Sequence, residues 1–330
     1  MAWVTPPDPR YDVVGIGNAL VDIIAHVDDA FLVDHDLVKG AMTLVETDRA
    51  LQLHTALPTA IEMSGGSAAN TVCGVASLGG TAAYIGKVSA DDLGGVFDHD
   101  LRAVGVRFSR AAQPADVPTG RCIIAVTDDA ERTMNTYLGA SSLLAPDDID
   151  PDVVAAGAVL YMEGYLFDRD DAKAAFRHAA AIAHEAGRLV SLTLSDSFCV
   201  DRHRDDFLSL VADDVDLLFG NADEVCSLYQ VDDLAVAIEA VRRDCSSAAI
   251  TVGARGCVVV ADDTVAEVPA TPVPKVVDTT GAGDLFASGY LFGVTHGYAP
   301  YECARLGAIA AGEIISHVGP RPLVELRTLL

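Results

Sequence analysis

The order of apolar and polar positions divides the chain into two halves of different character. In the second half, short β-branched runs alternate with stretches whose apolar residues recur at helical spacing. Residues 158–162, 189–194, 215–219, 249–252 and 257–261 are predicted as buried strands. Between them, residues 170–186, 203–211, 222–229 and 233–244 are predicted as helices, several opened by an Asp or Asn cap. This rhythm implies crossover connections and a mainly parallel sheet covered on both faces. Two further helices, 285–296 and 301–317, close the chain.

The first half lacks that rhythm. Residues 11–15 form a buried strand, and 67–78 a small-residue helix behind a Gly-Gly turn. Around them, 20–27, 41–45, 122–127 and 133–138 alternate in polarity without intervening helices. Asp128-Asp129-Ala130-Glu131 has the composition of a hairpin turn. The expectation is a main α/β domain from residues 11–18, 47–105 and 139–330, with 19–46 and 106–138 forming a small antiparallel sheet that acts as a lid.

Composition narrows the class. The 330 residues are 51% hydrophobic, enough for a large core, yet no apolar run approaches the roughly 18–20 residues of a membrane span. Met1 to Arg10 is polar and proline-rich without an apolar signal segment, so a soluble, cytoplasmic protein is expected. The net charge of -26 argues against nucleic acid or an anionic membrane as partner, since both require a positive surface. The seven cysteines contain no C-x-x-C pair, which argues against a disulfide framework or a structural zinc.

The chemistry concentrates in a few strings. Asp278-Thr279-Thr280-Gly281-Ala282-Gly283-Asp284 runs directly into an apolar helix. Its glycines allow close backbone approach, and the helix start supplies free N–H groups for an anion. Asp284, in the first turn, could take a proton from an attacking hydroxyl while those groups hold a transferring phosphoryl; alternatively it is a helix cap. Ser64-Gly65-Gly66-Ser67-Ala68-Ala69-Asn70 is a second glycine turn before a helix, with Asn70 as a directional polar group. Gly15-Ile16-Gly17-Asn18-Ala19-Leu20-Val21-Asp22 superficially suggests a dinucleotide fingerprint, but Leu20 stands where the third glycine belongs and a strand follows. Asn18 and Asp22 are instead candidates to face substrate hydroxyls. No P-loop, protein-kinase signature, H-E-x-x-H or G-x-S-x-G string is present.

With these motifs the chain resembles the ribokinase-like (phosphofructokinase B-type) carbohydrate kinases, over about residues 11 to 322, and most of all their bacterial adenosine-kinase-like branch. Asn221-Ala222-Asp223-Glu224 is similar to the family's Asn-x-x-Glu element, and Thr251-Val252-Gly253-Ala254-Arg255-Gly256 to its Thr-x-Gly-x-x-Gly turn. The resemblance implies a three-layer α/β/α core with a β-sheet lid, using ATP and Mg2+. It implies Asp284 as base and Gly281, Ala282 and Gly283 as anion hole. Asn18, Asp22, Gly65, Gly66, Asn70 and Glu163 would hold the acceptor. Asn221, Glu224, Thr251, Gly253 and Gly256 would serve the nucleotide, with Glu224 reaching magnesium through water. Arg132 is either a lid arginine for phosphoryl charge or an ordinary hairpin arginine, and a K+ site near Asp278, Thr280 and Gly319 occurs in many relatives.

The implied partner is a small molecule, either a nucleoside such as adenosine or a sugar of the ribose, fructose or 2-keto-3-deoxygluconate type. A sensor that kept the fold and lost the chemistry is the remote third reading. A nucleoside needs an apolar wall for its base, for which Tyr137, Tyr165, Phe167 and Phe198 are candidates. Ile23, Val27 and Ile124 are candidates either to pair lids in a homodimer or to cover the cleft of their own chain.

Overall fold

The computed structural model describes residues 9–111, 114, 116–129, 131–262 and 264–330. Its strands, in chain order, are β1 (Tyr11–Ile16), β2 (Leu20–His26), β3 (Met42–Leu44), β4 (Ile61–Gly65), β5 (Ala82–Gly86), β6 (Arg107–Arg110) and β7 (Gly120–Val126). There follow β8 (Arg132–Tyr137), β9 (Gly157–Glu163), β10 (Leu189–Thr193), β11 (Leu217–Asn221), β12 (Ser247–Thr251), β13 (Cys257–Ala261) and β14 (Thr264–Val268). They sort into a nine-stranded sheet, ordered β14-β13-β12-β11-β10-β9-β1-β5-β6, and a five-stranded sheet, ordered β3-β8-β7-β2-β4.

The large sheet is parallel from β6 through to β12, and β13 and β14 return antiparallel. Alternate residues of its strands feed two separate cores, because successive side chains of a strand point to opposite faces. Val14, Ile16, Leu160, Met162, Leu218 and Ile250 pack on one side, under helices that include Asp170–Glu185 and Leu234–Asp244. Val13, Val159, Tyr161, Phe219 and Ala249 pack on the other, under Ser67–Ser77, Asp92–Ala103, Ala282–Thr295 and Pro300–Ile314. The three-layer architecture expected from the alternation is therefore present.

The small sheet departs from expectation in two respects. It is mixed, with β2·β7 and β3·β8 parallel, and not wholly antiparallel. Its membership also crosses the expected division at 19–46 and 106–138. Ile61–Gly65, assigned to the core, is an edge strand of the small sheet. Arg107–Arg110, assigned to the lid, is the edge of the large one. The cause of the second is Phe108, whose ring lies 6.0 Å from Tyr84 and 5.2 Å from Phe97 and draws the strand into the core. The β7–β8 hairpin forms as expected, closed by Thr127 N–H donating to Glu131 O at 3.0 Å, although Ala130 of its turn lies outside the described residues.

One face of the small sheet is sealed by the helix Thr47–Ala56, through Ala50 and Leu53 against Ile123 and Tyr137. The other face carries Cys122, Ile124, Val126 and Met134. Ile23 and Ile124 are both buried within their own chain, which leaves Val27 as the more open of the three residues considered for self-association.

The helices Ala282–Thr295 and Pro300–Ile314 cross closely through glycine. A Cβ at Gly289 would stand 2.5 Å from Leu306 O, and one at Gly307 2.6 Å from Phe286 O. Gly289→Val should therefore lower unfolding free energy by about 3 kcal/mol, as overpacked cores do. Urea denaturation measures this directly; an unchanged midpoint would show that the crossing can relax.

Candidate active site

A cleft of about 920 Å³ lies between the C-terminal ends of the central strands and the inner face of the small sheet. Its floor is set by the helix Ala282–Thr295. Gly281 is the N-cap, with φ of 76°, so a left-handed residue turns the chain into the helix. Asp284 is thus in the first turn and caps nothing. Its carboxylate accepts from Ser67 Oγ at 2.6 Å and from Asn70 Nδ2 at 2.9 Å. Burial raises the Asp284 carboxyl above its usual range, and the hydrogen bonds from Ser67 and Asn70 and the charge of Arg321 oppose that rise. Among the first-turn N–H groups, that of Ala282 donates to Thr279 O at 3.2 Å. A Cβ at Gly283 would meet open space, so the backbone there is bare to the cleft.

The second glycine turn brings up the other wall. Gly66 has φ of 92° and sits so close to the Asn18 carbonyl that no side chain fits. Gly65 does not line the cleft; it makes room for Asp22, whose Cγ lies 2.5 Å from where a Cβ would be. Asp22 lines the cleft and is 7% exposed. Burial pushes its carboxyl up to about 6 against the pull of Arg132 and Arg321. Asn70 Oδ1 is buried and accepts no hydrogen bond, which leaves it as an open acceptor beside Asp284.

Glu163, at the end of β9, is 1% exposed and is already fully engaged. It accepts from Asn18 N at 3.3 Å, Asn18 Nδ2 at 3.1 Å and Ala68 N at 2.8 Å. Asn18 Oδ1 in turn accepts from Ser141 Oγ at 2.9 Å. Glu163 therefore joins the Asn18 loop to the start of the helix Ser67–Ser77, and burial raises its carboxyl to about 7.

At the far end of the cleft, Asn221 and Glu224 form a capping box. Glu224 accepts from Asn221 N at 2.9 Å and from its Nδ2 at 2.6 Å, and Asn221 Oδ1 accepts from Glu224 N at 2.9 Å. Burial raises the Glu224 carboxyl to about 7. Thr251 and Gly253 line the cleft beside them, with open space over Gly253. Gly256 does not; at φ of 99° it turns β12 into β13.

Arg132 is neither a surface arginine nor a wall of the cleft. It pairs with Asp278, both side chains being less than a tenth exposed, and its Nε and Nη2 are buried without a partner. Asp278 also accepts from Thr280 N at 3.0 Å and Gly319 N at 3.1 Å, so its side chain joins the loop at 278–281 to the segment after the helix Pro300–Ile314. Of the aromatic candidates, Tyr165 and Phe198 line the cleft. Phe167 instead stacks on Phe207 at 4.2 Å in the core, and Tyr137 packs under the helix Thr47–Ala56.

Two residues at the site escaped the sequence reading. Ser67 follows Gly65-Gly66 directly, and its place in that string was the available signal. Arg321, between two prolines near the C-terminus, offered none.

A carboxylate at a glycine-built helix start, facing a second glycine turn under a separate sheet, defines a small-molecule phosphotransferase. The family comparison agrees: the pfkB family carbohydrate kinase model matches residues 38–326, and the chain belongs to that family of ATP-dependent small-molecule kinases. Among solved structures, an adenosine kinase from Sinorhizobium meliloti is 52% identical, with a TM-score of 0.90, covering 97% of this chain and 98% of that one. A probable sugar kinase from Rhizobium etli CFN 42 is 49% identical, with the same TM-score of 0.90 and the same coverage of 97% and 98%. Among curated proteins, adenosine kinase 2 of Arabidopsis thaliana is 26% identical over 341 residues, spanning 94% of this chain and 96% of its own. No helix among the described residues is long and apolar enough to cross a membrane.

Glu163→Gln would place an amide N–H against donors at Asn18 or Ala68. Leaving a buried donor unmatched costs about 1–3 kcal/mol, so kcat/KM for the acceptor should fall about 10- to 100-fold while the KM for ATP changes little. Steady-state kinetics with each substrate varied in turn distinguishes this from a general loss of fold.

Proposed function

We propose that this chain is a nucleoside kinase that transfers the γ-phosphoryl group of ATP to the 5′-hydroxyl of adenosine or a close relative. The observation that carries the reading is the contrast within the acceptor half of the cleft. One side of it holds the carboxylates of Asp284, on the floor, and of Asp22, on β2 of the small sheet, close enough to feel each other's charge. The rest of the roof is uncharged and largely apolar, from Leu20, Cys122, Ile124, Met134 and Leu138. A vicinal diol suits the first and a flat heterocycle the second. A sugar acid would want positive charge in the roof. The similarity to adenosine kinases supports the same choice.

In this reading Asp284 draws the proton from the acceptor hydroxyl, held ionised by Ser67, Asn70 and Arg321 against the cost of burial. The N–H groups of Gly281 and Gly283 face the transferring phosphoryl, while that of Ala282 is turned to Thr279 O. Arg132, buried against Asp278 and outside the cleft lining, acts on that charge from behind the loop at 278–284. Asp22 and Asn70 Oδ1 hold the sugar hydroxyls, and Asn18 and Glu163 fix the wall behind them. Tyr165 and Phe198 flank the base.

The fit to ATP rests on the bare backbone at Gly253 and Gly283. Glu224 and Asn221 would serve magnesium through water, and the ion would supply neutralisation of the triphosphate charge. A monovalent cation would take backbone carbonyls where the segments of Asp278 and Thr280 and of Gly319 meet. The small sheet serves as the lid that keeps water from the transfer.

ADP release with magnesium and ATP, measured against adenosine, inosine, cytidine, ribose, fructose and 2-keto-3-deoxygluconate, tests the acceptor. Strong turnover with adenosine and none with free sugars is expected; turnover confined to a sugar would overturn the nucleoside reading. Asp284→Asn should lower kcat by about 100-fold or more and leave ATP binding intact, since only the acceptor's proton is affected. A variant that keeps near-normal turnover would remove Asp284 from its role.

A further inference from the structure

Arg321 lies behind the cleft wall, outside the residues that line it, yet it holds both the glycine turn at 64–66 and the helix start that follows it. Its Nη1 donates to Ala69 O at 2.8 Å. Its Nη2 donates to Ser64 O at 3.1 Å and to Ser64 Oγ at 3.0 Å, and its Nε to Ser64 O at 3.3 Å. Ser64 precedes the glycine that makes room for Asp22, and Ala69 lies between the two residues that donate to Asp284. One guanidinium therefore grips the backbone immediately behind each carboxylate.

The segment that carries Arg321 is itself anchored to the phosphoryl side. Gly319 N–H donates to Asp278 at 3.1 Å, and Leu323 N–H to Glu313 Oε1 at 3.0 Å. Pro320 lies between these anchors, lines the cleft, and approaches within 3.3 Å of a Cβ built on Gly281. The backbone and hydroxyl partners of Arg321 are neutral, so its charge is not spent on an ion pair. The groups around Asp284 are otherwise acidic or neutral: Asp22 on β2, Tyr161 and Glu163 on β9, Tyr165 after it, and Glu224 behind β11.

We propose that Arg321 is a positioning residue for the transfer, which clamps the glycine turn at 64–66 and the first turn of the helix Ser67–Ser77 to the C-terminal segment, and supplies the positive field beneath Asp284 and, together with Arg132, beneath Asp22. The proposal rests on the reading of Asp284 as base. Its electrostatic part follows from geometry and agrees with the direction of both groups: burial raises each carboxyl, and the Arg321 charge opposes the rise in each. Removing the cation raises both further, so the acid limb of the rate profile moves upward.

The test is the pH dependence of kcat, with KM for the acceptor, in wild type, Arg321→Met and Arg321→Lys, with Asp284→Asn in parallel. Arg321→Met should shift the acid limb of kcat upward by about 1 pH unit, with turnover recovering toward wild type at high pH. Arg321→Lys should keep the limb in place, because the charge remains, and raise the acceptor KM several-fold, because a single ammonium cannot hold both backbone sites. An Arg321→Met enzyme slowed equally at every pH, or one with wild-type kinetics, would overturn the proposal. If Arg321→Met does not fold, the Lys variant decides: a shifted limb, or an unchanged acceptor KM, counts against the proposal. Asp284→Asn separates the two levels of the argument. Loss of turnover there with an unmoved limb in Arg321→Met sinks only the role of Arg321, whereas retained turnover there sinks the base assignment on which it stands.

Discussion

Two hydrogen bonds, from Ser67 and Asn70 to Asp284, join residues 217 and 214 positions apart and close the cleft floor. A buried carboxylate without such partners would cost several kcal/mol or simply take up a proton. The site therefore exists only when the N-terminal glycine turn and the C-terminal helix start have met across the sheet. Much else in the molecule serves that meeting. Glu163 fixes the start of the first helix through Ala68 N. Gly289 and Gly307 let the last two helices press together, which sets where the second helix begins.

Charge in this protein is a matter of placement more than of total. The chain carries a net charge of -26 and still presents a cleft for an anionic co-substrate. Along the cleft, burial raises the carboxyls of Asp22, Glu163, Glu224 and Asp284 alike. What opposes them is local: helix-start N–H groups, the Arg132–Asp278 pair, and Arg321 from behind. A basic surface is not needed where desolvated N–H dipoles and two arginines act at short range.

Some of this was legible in the chain and some was not, for physical reasons. The helix Ala222–Tyr229 and the strand Cys257–Ala261 match expectation residue for residue, because a capping box and an uninterrupted β-branched run are strong local signals. The helix start at Ala282 was placed three residues late, at 285, because a left-handed glycine cap leaves no polar marker. β4 went unseen since Ile61 and Glu62 are both exposed and its pairing with β2 is all that makes it a strand. At the site, the glycine strings located Asp284 and Asn70, but no spacing rule could say that Glu163 spends its oxygens on the chain itself. Arg321 depends wholly on tertiary placement, as does the burial of Arg132.

The small sheet has a consequence of another kind. It is assembled from two excursions, one between β1 and the helix Ser67–Ser77 and one between β6 and β9, each leaving the large sheet and returning to it. The loop at 278–284 and the capping box at 221–224 lie elsewhere in the chain. On the proposed reading, recognition of the acceptor and handling of the phosphoryl group are thus written largely in different stretches of sequence, which can drift at different rates. New acceptors become reachable by rewriting a roof while the engine beneath is inherited unaltered, and one ancestry can supply kinases for both nucleosides and sugars.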